Sequence, residues 1–178
     1  MSSGLGSLER LGLVFSPQAI PDRPAWMASH AQGPAALYQD DRIRMYFSCR
    51  PASKPGGLAT SYTAFVDLDR ADPTRVIGVA SKPVMGLGRR GTFDEFGVYP
   101  FSPIEHKGRL LGYYGGWTRC SSVPFNVAIG VAQSSDGGRT FHRLGEGPVL
   151  GYRADEPFII SGPKIRFFDG LLYLFYIA

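Results

Sequence analysis

The chain has 178 residues, of which 44% are hydrophobic and 13% aromatic, a composition typical of a folded globular protein. Its formal net charge is +4, but the basic residues are scattered singly, so the sequence predicts no nucleic-acid partner. The apolar runs are too short to cross a bilayer and the amino end lacks a secretory pattern, so we expect no membrane partner and a cytoplasmic location.

A pattern led by a proline recurs about every 65 residues and predicts the order of the strands. The copies read GPAALYQDDRIRMYF, YPFSPIEHKGRLLGYY and GPKIRFFDGLLYLFY, and they begin at Gly33, Tyr99 and Gly162. Their prolines lie 66 and 63 residues apart, and a second pair, Pro83 and Pro148, lies 65 residues apart. Each unit holds about four short stretches in which apolar and polar residues alternate. A strand-rich repeat of this length is typical of a β-propeller.

We therefore predict an all-β fold, a partial β-propeller of four-stranded antiparallel blades. Residues 1–10 are expected to be flexible, with blades over 11–90 and 91–151 and half a blade over 152–178. About two and a half blades cannot close a ring, since propellers have roughly four to eight. We expect the chain to be the amino-terminal part of a longer protein, or a protomer that self-associates through the open edge of its last strand.

Two further sequence features are interpreted as structural. Cys49 and Cys120 are expected to be free and mostly buried thiols, because no spacing motif supports the disulfide that their positions would allow. The segment SSDGGRTF, from Ser134 to Phe141, fits the S-x-D-x-G-x-T-F/W pattern of an Asp-box hairpin. In this interpretation Asp136 ties a tight turn to the backbone and has no chemical role.

The chain resembles the five-bladed β-propeller glycosidase superfamily. The segments that carry the resemblance are WMASHAQGPAALYQDDRIRMYFSCR, GTFDEFGVYPFSPIEHKGRLLGYYGGW and VPFNVAIGVAQSSDGGRTFHRLGEGPVL. That superfamily includes glycoside hydrolase families 43, 62, 32 and 68 and, more remotely, the family 130 phosphorylases, and the chain looks most like a branch associated with bacterial surface-polysaccharide genes. The resemblance extends from about residue 11 to the end. It implies five blades and a glycoside hydrolase that acts on a bacterial polysaccharide or oligosaccharide by carboxylate acid/base catalysis, with carbohydrate as the partner and no cofactor.

The resemblance also predicts carboxylates that this chain lacks. Its pattern places an Asp directly before the proline of selected blades, and those positions here are Gly33, Tyr99 and Gly162. The family's third carboxylate, the general acid, usually comes from a later unit. We therefore expect the chain alone to be inactive, and an alternative is a non-catalytic carbohydrate-binding or assembly module on the same scaffold.

Two Asp-Glu pairs are the candidate catalytic residues: Asp94-Glu95 and Asp155-Glu156, each just before an inner strand. If residues entering inner strands point to a common axis, carboxylates from adjacent blades converge there, and paired acids are what glycoside cleavage requires. Asp94 is preferred because it lies in the segment that carries the resemblance, and Glu156 is next. The alternative is that these residues cap turns at the rim. No metal site is predicted, because the carboxylates are not joined by His or Cys clusters.

Six further residues are candidates for substrate binding. They are His30, Gln32, Arg50, Tyr114, Trp117 and Arg119. Arg50 and Trp117 stand at equivalent places, each four residues after an aligned strand tyrosine. We expect Trp117 and Tyr114 to stack on a sugar face and an arginine to hold a carboxylate, a phosphate or a ring hydroxyl. The alternative for the aromatic residues is packing between blades, and for His30 a structural role.

Overall fold

The structure, a computed structural model, describes residues 9–52 and 59–178 and is almost entirely β-structure. Its strands are Ser29–Tyr38 (β1), Arg42–Arg50 (β2), Tyr62–Asp69 (β3), Val76–Val79 (β4), Gly97–His106 (β5), Arg109–Arg119 (β6), Phe125–Ser134 (β7), His142–Arg143 (β8), Ser161–Phe168 (β9) and Leu171–Ile177 (β10). In this part of the chain the helical elements are two 3-10 turns, Pro17–Ala19 and Ala25–Met27. The all-β prediction is confirmed. The predicted flexible segment 1–10 lies mostly outside the described residues.

The strands form three antiparallel sheets in chain order. The first sheet is β1-β2-β3-β4, the second is β5-β6-β7-β8, and the third is the pair β9-β10. Tight turns join the first two strands of the later sheets, with positive φ at Lys107 and Gly108 in one turn and at Asp169 and Gly170 in the other. Such turns match the twist of the strands that they connect. The sheets lie within the predicted blade ranges, whose exact bounds stay predictions.

The first strands of the three sheets are arranged around a common axis. Strand β5 packs against both β1 and β9. Across the axis, the Lys164 ammonium of β9 lies 3.5 Å from the Pro34 carbonyl oxygen of β1. Each sheet thus points outward from its first strand, which is the radial arrangement of a β-propeller. The number of blades in a complete ring stays a prediction.

Aromatic side chains fill the wedge between the first and second sheets. The ring centroid of Tyr46 lies 5.0 Å from that of Phe101 and 5.9 Å from that of Phe141, and all three residues are buried. Tilted and edge-to-face pairs at these distances stabilise a core beyond the burial of their area. The wedge therefore fixes the spacing between the two blades.

A buried ion pair within the first sheet holds an arginine that also binds a turn of the second sheet. Arg44 donates to both carboxylate oxygens of Asp67 at 2.7 Å, and the Arg44 side chain is only 2% exposed. The same guanidinium donates to the Gly137 carbonyl oxygen at 2.9 Å, and the Tyr46 hydroxyl donates to the Gly138 carbonyl oxygen at 2.7 Å. The 134–140 turn is thereby held against β2.

The 134–140 turn is organised by the Asp136 carboxylate. It accepts hydrogen bonds from the Arg139 and Thr140 amides and from the Thr140 hydroxyl, at 3.0, 2.9 and 2.6 Å. Partial burial acts to raise the pKa of Asp136, but the hydrogen bonds from Thr140, Ser134 and the Arg139 amide outweigh it and lower the pKa to about 2. Asp136 is therefore ionised at neutral pH and bound to the turn.

The cysteines differ in exposure. Both are free, but only Cys49 is buried, and its burial raises the pKa of the thiol to about 12. The prediction that both thiols are buried is wrong for Cys120, which follows the end of β6 and is exposed. A residue just beyond the end of a strand is open to solvent, and the aromatic residues before Cys120 do not cover its thiol.

The third sheet exposes a row of large apolar side chains: Phe167, Phe168, Leu171, Leu172, Phe175 and Ile177. In the described part of the chain, β10 pairs with β9 alone. Self-association through this edge stays a prediction. None of the helices in residues 9–52 and 59–178 is long and apolar enough to span a bilayer.

The docking of the 134–140 turn predicts different costs for two neighbouring glycines. Both Gly137 and Gly138 have positive φ, so either change to alanine incurs backbone strain of about 1 kcal/mol. At Gly138 the new methyl group would also collide with the Tyr46 hydroxyl, whereas at Gly137 the nearest atom is 3.8 Å away. We expect Gly138→Ala to lower the free energy of unfolding by about 1–3 kcal/mol more than Gly137→Ala in urea titrations. Equal losses would contradict the docked arrangement.

Candidate ligand-binding site

A cavity of about 300 Å³ opens at the end of the propeller where the inner strands begin. All three sheets contribute to its wall. The lining residues are Arg50, Ala59, Tyr99, Trp117, Phe125, Val127 and Ser161. Two of them, Arg50 and Trp117, are predicted substrate-binding residues.

The strand register explains why Arg50 and Trp117 meet at one cavity. Arg50 pairs with Ser29, the first residue of β1, and Trp117 pairs with Gly97, the first residue of β5. Arg50 and Trp117, at equivalent positions in two neighbouring blades, therefore lie at the same height along the propeller axis. The sequence equivalence of these residues thus corresponds to a structural one.

The indole of Trp117 is a rigid wall of the cavity. Its Nε1 donates to the Ser61 hydroxyl at 2.7 Å, and the ring lies so close to Gly97 that a side chain there would collide with it. Phe125 lies edge-on to the indole with ring centroids 6.3 Å apart. Because its polar atom is satisfied by protein, Trp117 presents mainly an aromatic surface.

The guanidinium of Arg50 is the charged group of the cavity wall. Its Nε is buried and has no hydrogen-bond partner within the described residues, and none of the ion pairs seen there includes Arg50. The described lining contains no carboxylate. At the rim, Arg119 donates to the carbonyl oxygen of Ala59 at 2.6 Å and lies over the ring of Phe96. The described part of the cavity therefore combines aromatic walls with positive charge that no carboxylate offsets.

Asp94, the preferred catalytic residue, lies away from this cavity. Its side chain is fully buried and accepts hydrogen bonds from Arg143 Nε at 2.7 Å, Thr92 Oγ1 at 2.9 Å and the Tyr114 hydroxyl at 3.1 Å. It borders a separate small cavity of about 70 Å³. The expected convergence of Asp94 and Glu156 on one cavity is therefore not seen, because the loop before β5 turns Asp94 into the protein to pair with Arg143.

Tyr114 also lies in the interior. It is fully buried and stacks on Phe93 with ring centroids 5.9 Å apart. Burial and the negative charge of Asp94 raise the pKa of Tyr114, so its hydroxyl stays protonated and donates to that carboxylate. The expectation that Tyr114 and Trp117 stack together on a sugar is corrected: residues three apart on a strand point to opposite faces.

The other three predicted carboxylates lie near the surface. Glu95 accepts a hydrogen bond from the Gly91 amide at 2.8 Å, and the exposed Asp155 pairs with Arg153 at 3.2 Å. Glu156 is partly buried and accepts from the Tyr176 hydroxyl at 2.9 Å, with Arg153 at 3.7 Å. The hydrogen bond to Glu156 is the main cause of the raised pKa of Tyr176. Of the four, Glu156 alone combines partial burial with a defined side-chain donor.

His30 and Gln32 lie at the start of β1 and are exposed. The His30 ring nitrogen Nδ1 is 2.8 Å from the Ser29 hydroxyl, and the residue has a φ of 67°. Neither His30 nor Gln32 is among the residues that line the cavity. They belong to the same end of the propeller, and their binding roles stay predictions.

None of the three positions before the inner-strand prolines carries the Asp that the resemblance implies. Gly33 and Gly162 both have positive φ, and Gly33 lies against the ring of Tyr99. A methyl group at position 33 would come within 3.1 Å of that ring. Tyr99 thus occupies space beside the position where the resemblance implies an Asp.

Sequence reasoning missed four residues whose side chains line the cavity. They are Tyr99, Phe125, Val127 and Ser161. Each lies within the first three residues of a strand that begins at the cavity end. That shared position is the signal that identifies them, and it requires the strand bounds. In the described residues, no group of three or more His, Cys, Asp or Glu side chains is placed to hold a metal ion.

Comparison with known proteins gives the fold more firmly than the activity. No protein-family model matches the chain. Uncharacterized protein Rv1502 of Mycobacterium tuberculosis (strain ATCC 25618 / H37Rv) is 31% identical over 157 residues, which are 88% of this chain and 50% of that protein. The chain thus spans about half the length of the curated relatives that it matches.

Two solved structures resemble the chain in fold. A complex of BT0996 with RGII matches with a TM-score of 0.66 and 16% identity, over 85% of this protein and 49% of that one. Zg3597, a family 117 glycoside hydrolase produced by the marine bacterium Zobellia galactanivorans, matches with a TM-score of 0.59 and 17% identity, over 88% of this protein and 46% of that one. At such identities the likeness shows the fold, which is a glycosidase-like β-propeller.

The environment of Asp94 predicts a structural role. Asp94→Ala removes the anion that neutralises Arg143 and leaves the Tyr114 hydroxyl without its acceptor. Breaking a buried pair costs about 3–5 kcal/mol, and the partial exposure of Arg143 places the expected loss of unfolding free energy at the lower end of that range. The control Glu95→Gln, at a residue near the surface, should change it by less than about 1 kcal/mol. Similar unfolding midpoints for Asp94→Ala and the wild type would refute this role.

Proposed function

We propose that this chain supplies a carbohydrate-binding cavity of a glycosidase-like β-propeller, formed where its three inner strands begin. The proposal rests on one observation: Arg50 and Trp117, at equivalent positions of adjacent blades, line the same cavity. It is supported by the fold of the neighbours, which include a family 117 glycoside hydrolase and a structure named as an RGII complex.

The chemistry of the lining suits a sugar. An aromatic wall offers a flat apolar surface to the C–H face of a pyranose or furanose ring. The hydroxyls of Tyr99 and Ser161 can both donate and accept, which matches ring hydroxyls. Binding pockets for small molecules begin at about 300 Å³, so the cavity has room for one sugar unit.

Hydrolysis is a second candidate function, and Glu156 is the residue that favours it. Its carboxylate is partly buried and held by Tyr176, so its position is defined, and it lies outside the lining of the 300 Å³ cavity. Glycoside cleavage needs a second carboxyl group on the other side of the bond. Asp94 is committed to Arg143, so this candidate function needs a second carboxyl group other than Asp94.

The binding proposal predicts that aromatic truncation in the cavity weakens sugar binding. The probes are arabinotriose, cellotriose and methyl-esterified trigalacturonate, and binding to the 178-residue chain is measured by calorimetry and saturation-transfer NMR. We expect Phe125→Ala and Trp117→Ala each to raise the dissociation constant by about 5- to 100-fold for any trisaccharide that the wild type binds. The reason is that stacking of the sugar against an aromatic ring is lost. Phe125 is exposed, so this variant keeps the test valid if Trp117→Ala fails to fold.

The matched control is Tyr38→Ala, which removes an exposed aromatic residue at the other end of β1. It should leave the dissociation constant unchanged. If neither these trisaccharides nor trigalacturonic acid binds at millimolar concentration, or if Tyr38→Ala has the same effect as Phe125→Ala, the proposed cavity is wrong.

The hydrolysis candidate predicts a dependence on Glu156. If the chain releases nitrophenol from aryl glycosides, Glu156→Gln should lower kcat by about 10²- to 10⁴-fold, the usual contribution of an acid/base group. Glu105→Gln, an exposed carboxylate near the opposite end of β5, is the control. Absence of release by the wild type, or release unaffected by Glu156→Gln, would exclude this candidate for the chain without touching the binding proposal.

A further inference from the structure

We infer that the cavity selects saccharides that carry a carboxylate, and that the guanidinium of Arg50 is the group that binds it. The inference rests on the proposed function, because it names the ligand class of the same cavity. It goes further by assigning the recognition of charge to one residue.

The first argument is the unmet hydrogen-bonding capacity of Arg50. A guanidinium has five N–H donors in a planar fork, and carboxylates satisfy this fork with two parallel hydrogen bonds. The Nε of Arg50 is already removed from water and finds no acceptor among the described residues. Because Nε itself is closed to the cavity, an anion there would be bound by the terminal N–H groups of the guanidinium, which take part in none of the ion pairs among the described residues.

The second argument is the balance of charge around the cavity. Arg119 stands at the rim, and no Asp or Glu is found in the described lining. The positions before the inner-strand prolines, where the resemblance implies a carboxylate, are two glycines and a tyrosine. Trp117, Phe125 and Val127 lower the local polarity, which strengthens attraction between a bound anion and Arg50.

The third argument favours a carboxylate over a phosphate. A phosphate monoester carries a charge of about −1.5 to −2 and three strong acceptor oxygens, which call for several donors. The described lining offers one guanidinium and the hydroxyls of Tyr99 and Ser161. One arginine fork matches the single charge and two coplanar oxygens of a carboxylate.

The test compares trigalacturonic acid with its methyl ester, since esterification removes the charge of the carboxyl groups and adds one methyl group to each. Titration calorimetry of the 178-residue chain should give tighter binding of the acid, by about 10- to 100-fold, as expected for loss of a charge-assisted hydrogen bond in the ester. Arg50→Gln should remove that preference by weakening the acid alone. Arg50→Lys should restore only part of it, because the ammonium keeps the charge and loses the planar fork.

The control for charge is Arg139→Gln, an exposed arginine in the 134–140 turn at the opposite end of the second sheet. It changes the net charge equally and should leave the preference intact. Thermal unfolding of each variant verifies that the fold is kept. A preference that Arg139→Gln abolishes as well would reflect net charge alone and would overturn the assignment to Arg50.

The outcomes separate the inference from the proposed function. Equal binding of acid and ester overturns the inference and leaves the sugar cavity standing, whereas binding of neither overturns the cavity itself. Galactose 6-phosphate is added as a competitor: displacement of trigalacturonic acid at lower concentration than by galacturonic acid would assign the site to phosphate and overturn the carboxylate assignment. The reverse order supports it.

Discussion

The docking of the 134–140 turn against β2 is the contact on which the rest of the arrangement depends. It joins the first two blades through the hydrogen bonds that Arg44 and Tyr46 donate to the carbonyl oxygens of the turn, and Asp67, in the first sheet like Arg44, holds the Arg44 guanidinium in place. Alternate residues of a strand share a face, so Arg44, Tyr46 and Arg50 all face the second sheet. Arg44 and Arg50 are about 20 Å apart at the rise of an extended strand. The strand that sets the angle between the blades therefore also brings Arg50 to the cavity.

Much of the fold follows from the sequence, because a propeller repeats one local pattern. The prolines at 34, 100 and 163 lie in β1, β5 and β9, the inner strands of the three sheets. The equivalence of Arg50 and Trp117 followed from the same repeat. The environment of Asp94 did not, because its partners, Tyr114 and Arg143, lie 20 and 49 residues further along the chain. Sequence spacing before a strand does not reveal the direction in which a loop turns its carboxylate. Tyr114 is different: the two-residue period of a strand already separates it from Trp117.

The distribution of carboxylates distinguishes this cavity from the one that the resemblance implies. The buried carboxylates of the described residues are Asp67 and Asp94, and each is neutralised by an arginine. An acid that is paired in this way maintains the contact between elements and is a poor proton donor or acceptor for a substrate. Glu156 differs in being only partly buried, and its partners are the Tyr176 hydroxyl at 2.9 Å and the Arg153 guanidinium at 3.7 Å. The fold is thus that of a glycosidase-like β-propeller, and the buried acids of the described residues stabilise that fold.

Arg44 and Arg50 provide an internal comparison on a single strand. Both face the second sheet, yet Arg44 has a carboxylate and a carbonyl oxygen as partners, whereas the buried Nε of Arg50 has none in the described residues. A buried donor left unpaired costs about 1–3 kcal/mol, which a methionine at that position would avoid. The ladder of β2 with β1 and β3 prevents Arg50 from withdrawing along the strand, because its backbone pairs with Ser29. The contrast between the two arginines therefore separates a residue whose hydrogen bonds join two blades from a residue that lines the cavity and whose buried Nε has no partner among the described residues.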